Sequence, residues 1–366
     1  MKKLTLVAGA VLALVSTTSA LAQSSVTLYG IVDAAVSHTT KQTGGSITRI
    51  DAGQLATSRW GMRGSEDLGG GMKANFTLES GISNDTGAAG GSFGPTLTPT
   101  ASLFERAATV GVSGGFGAIT LGRQNILAVD AMAPVDPIGF SQPGINPNVS
   151  IGALNAGSAV FGPYGTNGGG TFLRQNNSIR YALPTMSGFS GAAMYGFGEQ
   201  AGNRSNSSYL GLLGSFNAGP ITATLGYNVL KNPTNTDKLT SVGGGVKYAI
   251  TDAIAVKASF SQAKDAVAPV AKISVLGVGV DFVVMPALTL TGAFYNTKLD
   301  DVVDAKARQL VFKANYALSK RTSVYTLLTN ARAGSTADTF LIPAAMTPAA
   351  GEKSSNRIAV GVFHSF

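Results

Sequence analysis

The chain has 366 residues, of which 13% are charged and 44% hydrophobic; it carries 47 glycines, no cysteine and a formal charge of +8. The missing cysteine excludes disulfides, thiolate metal sites and a cysteine nucleophile together. Lysines and arginines are scattered, without the basic run expected of a nucleic-acid-binding surface, and no apolar run beyond the N-terminus approaches the about 20 residues of a membrane-spanning helix.

Lys2 and Lys3 precede a short apolar stretch at 4–15, and Ala20-Leu21-Ala22 supplies a small-x-small site. This pattern predicts a signal peptide over 1–22, with cleavage between Ala22 and Gln23 and a mature domain over 23–366.

From residue 25 the period is two. Val26, Leu28, Gly30, Val32, Ala34 and Val36 share one face, against Thr27, Tyr29, Ile31, Asp33 and Ala35. In the next stretch Arg59, Gly61 and Arg63 share a face, opposite Trp60 and Met62. Arg174, Asn176, Ser178 and Arg180 oppose Leu173, Ile179 and Tyr181, and Lys313 and Asn315 oppose Phe312, Ala314 and Tyr316. Such dyads place one side-chain set on each face of a sheet.

Short turn signals (Asp67-Leu68-Gly69-Gly70, Ser113-Gly114-Gly115, Ala218-Gly219-Pro220, Met285-Pro286) alternate with long Gly/Asn/Thr-rich stretches at 83–101, 125–170 and 333–353. Between them the sequence predicts strands at about 25–37, 47–65, 71–82, 102–113, 116–124, 171–183, 188–199, 206–217, 220–231, 239–250, 253–264, 271–283, 287–298, 305–317, 321–332 and 354–366. These are nearer the about 9–11 residues of a tilted membrane strand than the about 5–6 of a globular one. The fold class is therefore all-β, an antiparallel transmembrane barrel. Its edge must close, because unpaired backbone groups are not tolerated in hydrocarbon. Sixteen strands make a cylinder too wide for its own side chains to fill, so an aqueous channel follows.

Several segments carry a family resemblance: SVTLYG at 25–30, SRWGMRGSEDLGGGMKANFTLESG at 58–81, FERAATVGVSGGFGAITLGRQ at 104–124, RQNNSIRYALP at 174–184, YALSKRTSVYTLLTN at 316–330 and the ending VGVFHSF at 360–366. Together they resemble the Gram-negative general porins, in their β-proteobacterial branch. The resemblance implies a homotrimer of 16-stranded subunits, each with a long third loop folded into the lumen. It also implies an assembly signal at Phe366, read by the barrel-assembly machinery. Further expected partners are outer-membrane lipid and lipopolysaccharide, and small hydrophilic solutes and ions.

The functional site of such a channel is its narrowest part, where width and charge select. Segment 125–170 is too long for an ordinary connection, and is similar to the family's constriction loop; its acids are Asp130 and Asp136 alone. Facing it, a basic cluster of Arg59, Arg63, Arg106, Arg174, Arg180 and Lys313 is expected. Arg106 and Arg174 match the family's pore arginines by motif. The others point inward by alternation, since an arginine on the lipid face near the midplane costs about 2–4 kcal/mol. Arg123 shares its face with Ile119 and Leu121, which leaves its direction open. With five arginines and one lysine against two loop acids, passive diffusion with weak to moderate anion preference is expected.

Rival functions fare worse. A sugar-specific channel would line its lumen with an aromatic slide, and the inward aromatics Tyr29 and Tyr295 are isolated. A hydrolase needs a histidine beside a nucleophile, and the two histidines are His38, assigned to the first loop region, and His364 on the outer face. A soluble secreted sandwich gives no reason for the terminal Phe366. Neither a cofactor nor a metal is expected.

Overall fold

The computed structural model describes residues 25–89, 102–140, 144–150, 173–265, 272–300 and 305–366. The predicted signal peptide with its cleavage site at Ala22 and Gln23, and residues 151–170 of the long loop, lie outside them.

The strands in chain order are β1 (Ser25–Gln42), β2 (Gly45–Ala52), β3 (Arg59–Gly69), β4 (Met72–Ser83), β5 (Ala88–Ala89) and β6 (Ala107–Gly114). There follow β7 (Gly117–Asn125), β8 (Arg174–Ala182), β9 (Phe189–Gly196), β10 (Tyr209–Ala218), β11 (Ile221–Lys231) and β12 (Lys238–Ala249). The last third holds β13 (Ile254–Asp265), β14 (Lys272–Met285), β15 (Leu288–Asp300), β16 (Ala305–Ala317), β17 (Thr322–Ala333) and β18 (Ser354–Ser365). Strands β2 and β3 lie end to end along β1, and β5 is a two-residue appendage of β4. The eighteen strands thus make 18 − 1 − 1 = 16 staves. All pairings are antiparallel, and β18 closes onto β1 from Ile31↔Ser365 to Thr39↔Arg357. Closure leaves no edge, so every stave satisfies its backbone within the sheet.

Alternation sets the two faces. In β18, Ile358, Val360 and Val362 are about half exposed on the outside, while Arg357, Ala359 and Gly361 between them are buried on the inside. His38 belongs to β1 rather than to a loop; it pairs with Thr48, and its Nδ1 lies 2.8 Å from the Thr48 hydroxyl.

The stretch read as one strand over 47–65 is broken. Ala34 of β1 pairs with Ala52, and Ile31 pairs with Arg59, so residues 53–58 bridge a gap of only two residues on β1. Asp33 holds this excursion. Its carboxylate accepts the N–H groups of Leu55 (2.5 Å) and Ala56 (2.6 Å) and the Tyr325 hydroxyl (2.5 Å), and its carbonyl accepts Gly53 N–H at 2.8 Å. Asp33 faces inward, so the excursion is held on the lumen side of the wall. Small residues kept the alternation superficially intact, which is why the break was not legible.

The inner space is unevenly filled. A short helix, α1 (Leu127–Met132), buries Leu127, Val129 and Met132 against Met194 and Tyr209. Ile138 and Ile145 pack with Ile273, Tyr295, Val311 and Leu327, and with Leu341, Ile342 and Met346 of the segment after β17. The described part of the long loop therefore covers the inward face of β10 to β17 and reaches the opposite wall, β1 to β8, through Asp130.

Candidate functional site

On that opposite wall four arginines converge. Arg59 opens β3, Arg106 directly precedes β6 and binds back through its N–H to Glu79 O (3.2 Å), and Arg174 and Arg180 lie on β8. They line a cavity of about 470 Å³ with Tyr29, Ile31, Glu79, Gln124 and Asn125.

Glu79 organises them. It faces inward from β4, accepting Arg106 Nε at 2.7 Å and the Tyr29 hydroxyl at 2.9 Å, with Arg59 Nε at 3.9 Å. Arg106 is only 7% exposed, and removing one partner of such a buried pair leaves an uncompensated charge, a loss of about 3–5 kcal/mol. Arg174 is as deeply set, and donates from Nε to Arg106 O (3.0 Å) and from Nη1 to Leu173 O (3.3 Å). These carbonyl acceptors fix its guanidinium without cancelling its charge. Arg63, one dyad below Gly61, sits 5.1 Å from the Tyr29 ring centroid, a cation–π contact on the same face.

Arg180 reaches across to the loop: its Nη1 is 2.7 Å from Asp130 Oδ2, at the foot of α1. Behind the arginines a second cavity of about 260 Å³ is walled by Ala56, Thr57, Val129, Ala133, Phe140 and Leu173. Arg59, Arg106, Arg174 and Asn125 border both cavities. Four guanidiniums against Glu79 and Asp130 leave a local charge of 4 − 2 = +2.

Two of the expected site residues are elsewhere. Asp136, expected as a constriction-loop acid, is fully buried. It accepts Tyr295 OH (2.9 Å), Asn146 Nδ2 (2.9 Å), Asn148 Nδ2 (2.8 Å) and Ile138 N–H (3.2 Å). Burial pushes its carboxyl above the usual range, against the pull of these four donors. It is a knot that fastens the loop to β15, reinforced by Ser261 Oγ donating to Asn148 Oδ1 at 2.7 Å. Lys313 is likewise apart from the arginines. Its Nζ donates to Ile138 O at 3.3 Å, and Lys257 Nζ donates to Pro137 O at 3.4 Å while pairing with Asp281 at 2.8 Å. Both lysines lie beneath the loop, on the far wall.

Arg123 resolves differently again. Gly122 adopts φ +117 at a register shift between Gly122 and Gln124, a backbone that favours glycine. Arg123 pairs with outward-facing Ala108 and donates to Glu105 O and Asn176 Oδ1. Phe366 ends the chain outward, its backbone exchanging two 3.1 Å hydrogen bonds with Gly30.

Sequence reasoning missed Glu79, Tyr29 as its partner, and the excursion at 53–58. Glu79 was findable: it shares a polar dyad with Lys73, Asn75 and Thr77, and its register partner across the ladder is Gly61, between the two arginines.

The chain is similar to known proteins over most of its length. A family model described as Gram-negative porin matches residues 8–335. Outer membrane porin protein 32 of Delftia acidovorans is 33% identical over 335 residues, covering 89% of this chain and 88% of that protein. An outer membrane porin protein of Bordetella pertussis is 29% identical over 224 residues, covering 57% of this chain and 52% of that protein. Among solved structures, the anion-selective porin from Comamonas acidovorans superposes with a TM-score of 0.76 at 26% identity, covering 94% of this chain and all of that one. With a closed sixteen-stave barrel and relatives at this level, the chain belongs to the Gram-negative porin family and forms a water-filled channel across the outer membrane.

Proposed function

We propose that this channel passes small hydrophilic solutes with a preference for anions, and that Arg59, Arg106, Arg174 and Arg180, with Arg63 leading up to them, form its constriction against the loop around Asp130. One observation carries the reading: at the arginine wall the local charge is +2, and the loop's only other acid, Asp136, is sealed away from water. An anion entering along Arg63 exchanges hydration water for guanidinium N–H donors. Glu79 competes for the same donors. A site that holds anions while an internal carboxylate weakens its grip meets the requirement of conduction, favourable enough to enter and weak enough to leave. The similar Comamonas acidovorans structure is described as an anion-selective porin, which supports the sign of the preference.

The same reading makes the protein a homotrimer, a related Vibrio cholerae barrel having been solved in a trimer form, and makes Phe366 the residue recognised by the barrel-assembly machinery. Planar-bilayer recording tests the channel reading. A tenfold KCl gradient across the purified protein should give a reversal potential of anion sign, with conductance steps in groups of three. A potential of cation sign overturns the assignment of the arginines.

A further inference from the structure

Arg59, Arg106, Arg174 and Asn125 stand between two chambers of opposite character. The front chamber, of about 470 Å³, is mostly polar, with Thr77, Glu79, Thr109, Thr120, Gln124 and Arg180 on its walls. The back chamber, of about 260 Å³, is walled beyond the shared residues by Ala56, Val129, Ala133, Phe140 and Leu173, and Thr57 alone adds a polar side chain. Two departures from regular strand build it. The excursion at 53–58 supplies Ala56 and Thr57, and the long loop supplies Val129, Ala133 and Phe140. Asp33 fastens the first, and the Asp130–Arg180 pair with the Asp136 knot fastens the second. The chamber is therefore formed before any solute arrives.

The arginines at the seam keep donors in hand. Arg106 and Arg174 are only 7% and 6% exposed. Among the described residues Arg106 gives Nε to Glu79, and Arg174 gives Nε and Nη1 to carbonyl oxygens. Both Nη atoms of Arg106 and Nη2 of Arg174 are left for a ligand. A guanidinium fork matches a carboxylate through two parallel hydrogen bonds. Chloride or acetate would use the seam and leave the back chamber idle. An apolar cavity of about 150 Å³ already holds a benzene ring, so the back chamber has room for one. Burying the ring removes apolar surface from water, and Phe140 offers it a ring contact. A second carboxylate pushed into the same chamber would meet the Thr57 hydroxyl and otherwise lose its water without a compensating donor.

From the free guanidinium donors at the seam and the apolar chamber behind them, we infer that the channel binds aryl monocarboxylates in transit. The carboxylate bridges Arg106 and Arg174, and the ring lies in the back chamber against Val129, Phe140 and Leu173. The inference rests on the constriction reading above and narrows it, from anions in general to anions with one flat apolar end.

Blockade of the chloride current through single channels of the full-length mature protein in dilute KCl tests it, with benzoate, acetate and terephthalate as the added anions. The half-blocking concentration of benzoate should lie about tenfold or more below that of acetate, the margin expected from burying one ring. Terephthalate, whose second carboxylate points away from its first, should block several-fold less well than benzoate despite its higher charge. Ala133→Leu, which fills the back chamber, should bring benzoate back to the acetate value. Equal blockade by benzoate and acetate in the wild type overturns the inference, and so does terephthalate matching benzoate. An undiminished benzoate preference in a folded Ala133→Leu channel also overturns it, by placing the ring elsewhere. Should that variant fail to fold, Phe140→Ala decides: the benzoate preference should fall several-fold, and a wild-type preference refutes the site. The KCl reversal potential, read on the same wild-type channels, separates the two levels. Anion sign without benzoate preference sinks this inference alone, whereas cation sign sinks the constriction reading and this inference with it.

Discussion

Arg106→Gln tests the charge balance of the constriction most directly. Neutral glutamine is the informative replacement, because a glutamate at 106 would stand beside Glu79, where Arg106 Nε now lies 2.7 Å from a carboxylate oxygen, and two adjacent carboxylates share a proton instead of adding two charges. Removing one guanidinium takes the local balance from +2 to +1. For an ion passing at about 8 Å in a water-like dielectric, one unit charge contributes about 0.5 kcal/mol. That is about 2.4-fold less anion and about 2.4-fold more cation at the constriction, so the anion-to-cation permeability ratio should fall about sixfold. Reversal potentials should be measured in dilute salt, since at 1 M the screening length shrinks to about 3 Å. Arg59 and Tyr29 remain to hold Glu79 in place, so the variant should still show a folded, heat-modifiable band. An unchanged permeability ratio in a folded variant would refute the placement of Arg106 at the selecting point.

Glu79→Gln should do the opposite, raising the local charge to +3 and the anion preference about sixfold by the same reckoning; a fall in anion preference would contradict it. Lys313→Met should leave the reversal potential unchanged, because its ammonium lies beneath the loop against Ile138 O; a clear shift toward cations would return Lys313 to the water-filled path. Asp136→Ala strands the donors of Asn146, Asn148 and Tyr295, at about 1–3 kcal/mol for each left unsatisfied, so the loop should loosen and open-channel noise should rise; quiet wild-type traces would refute the knot. The pH dependence follows from the same residue. Its folded-state pKa is raised by burial, so its contribution to stability is fully present below the unfolded value and is lost as pH rises through the folded one. Loop noise should therefore decrease on acidification through that range in the wild type and not in Asp136→Asn; noise increasing toward acid pH would reverse the sign.

How much was legible depended on whether a property is local. Strand positions, the inward direction of Arg59, Arg63 and Arg180, and the outward direction of Trp60 follow from a period of two, which each strand carries by itself. The break at 53–58 was not legible, because Asp33 holds it from another strand, with help from Tyr325 nearly three hundred residues away. Arg123 was undecidable for a similar reason: the bulge at Gly122 resets the parity of β7. Asp130 and Asp136 look alike in sequence, two acids six residues apart in an apolar loop. Only the surroundings distinguish them, one meeting Arg180 of β8 and the other sealed among Asn146, Asn148 and Tyr295.

The sequence by itself determined a closed membrane cylinder and its face assignment, since alternation, strand length and turn spacing are short-range and hydrocarbon forbids an open edge. Only the tertiary structure decided which charges meet on one inward wall. Side chains from β1, β3, β4, β7 and β8, with Arg106 before β6 and Asp130 of the loop, are brought together there, and whether a carboxylate or ammonium faces water, a guanidinium or a carbonyl is a property of the assembly and of no single segment.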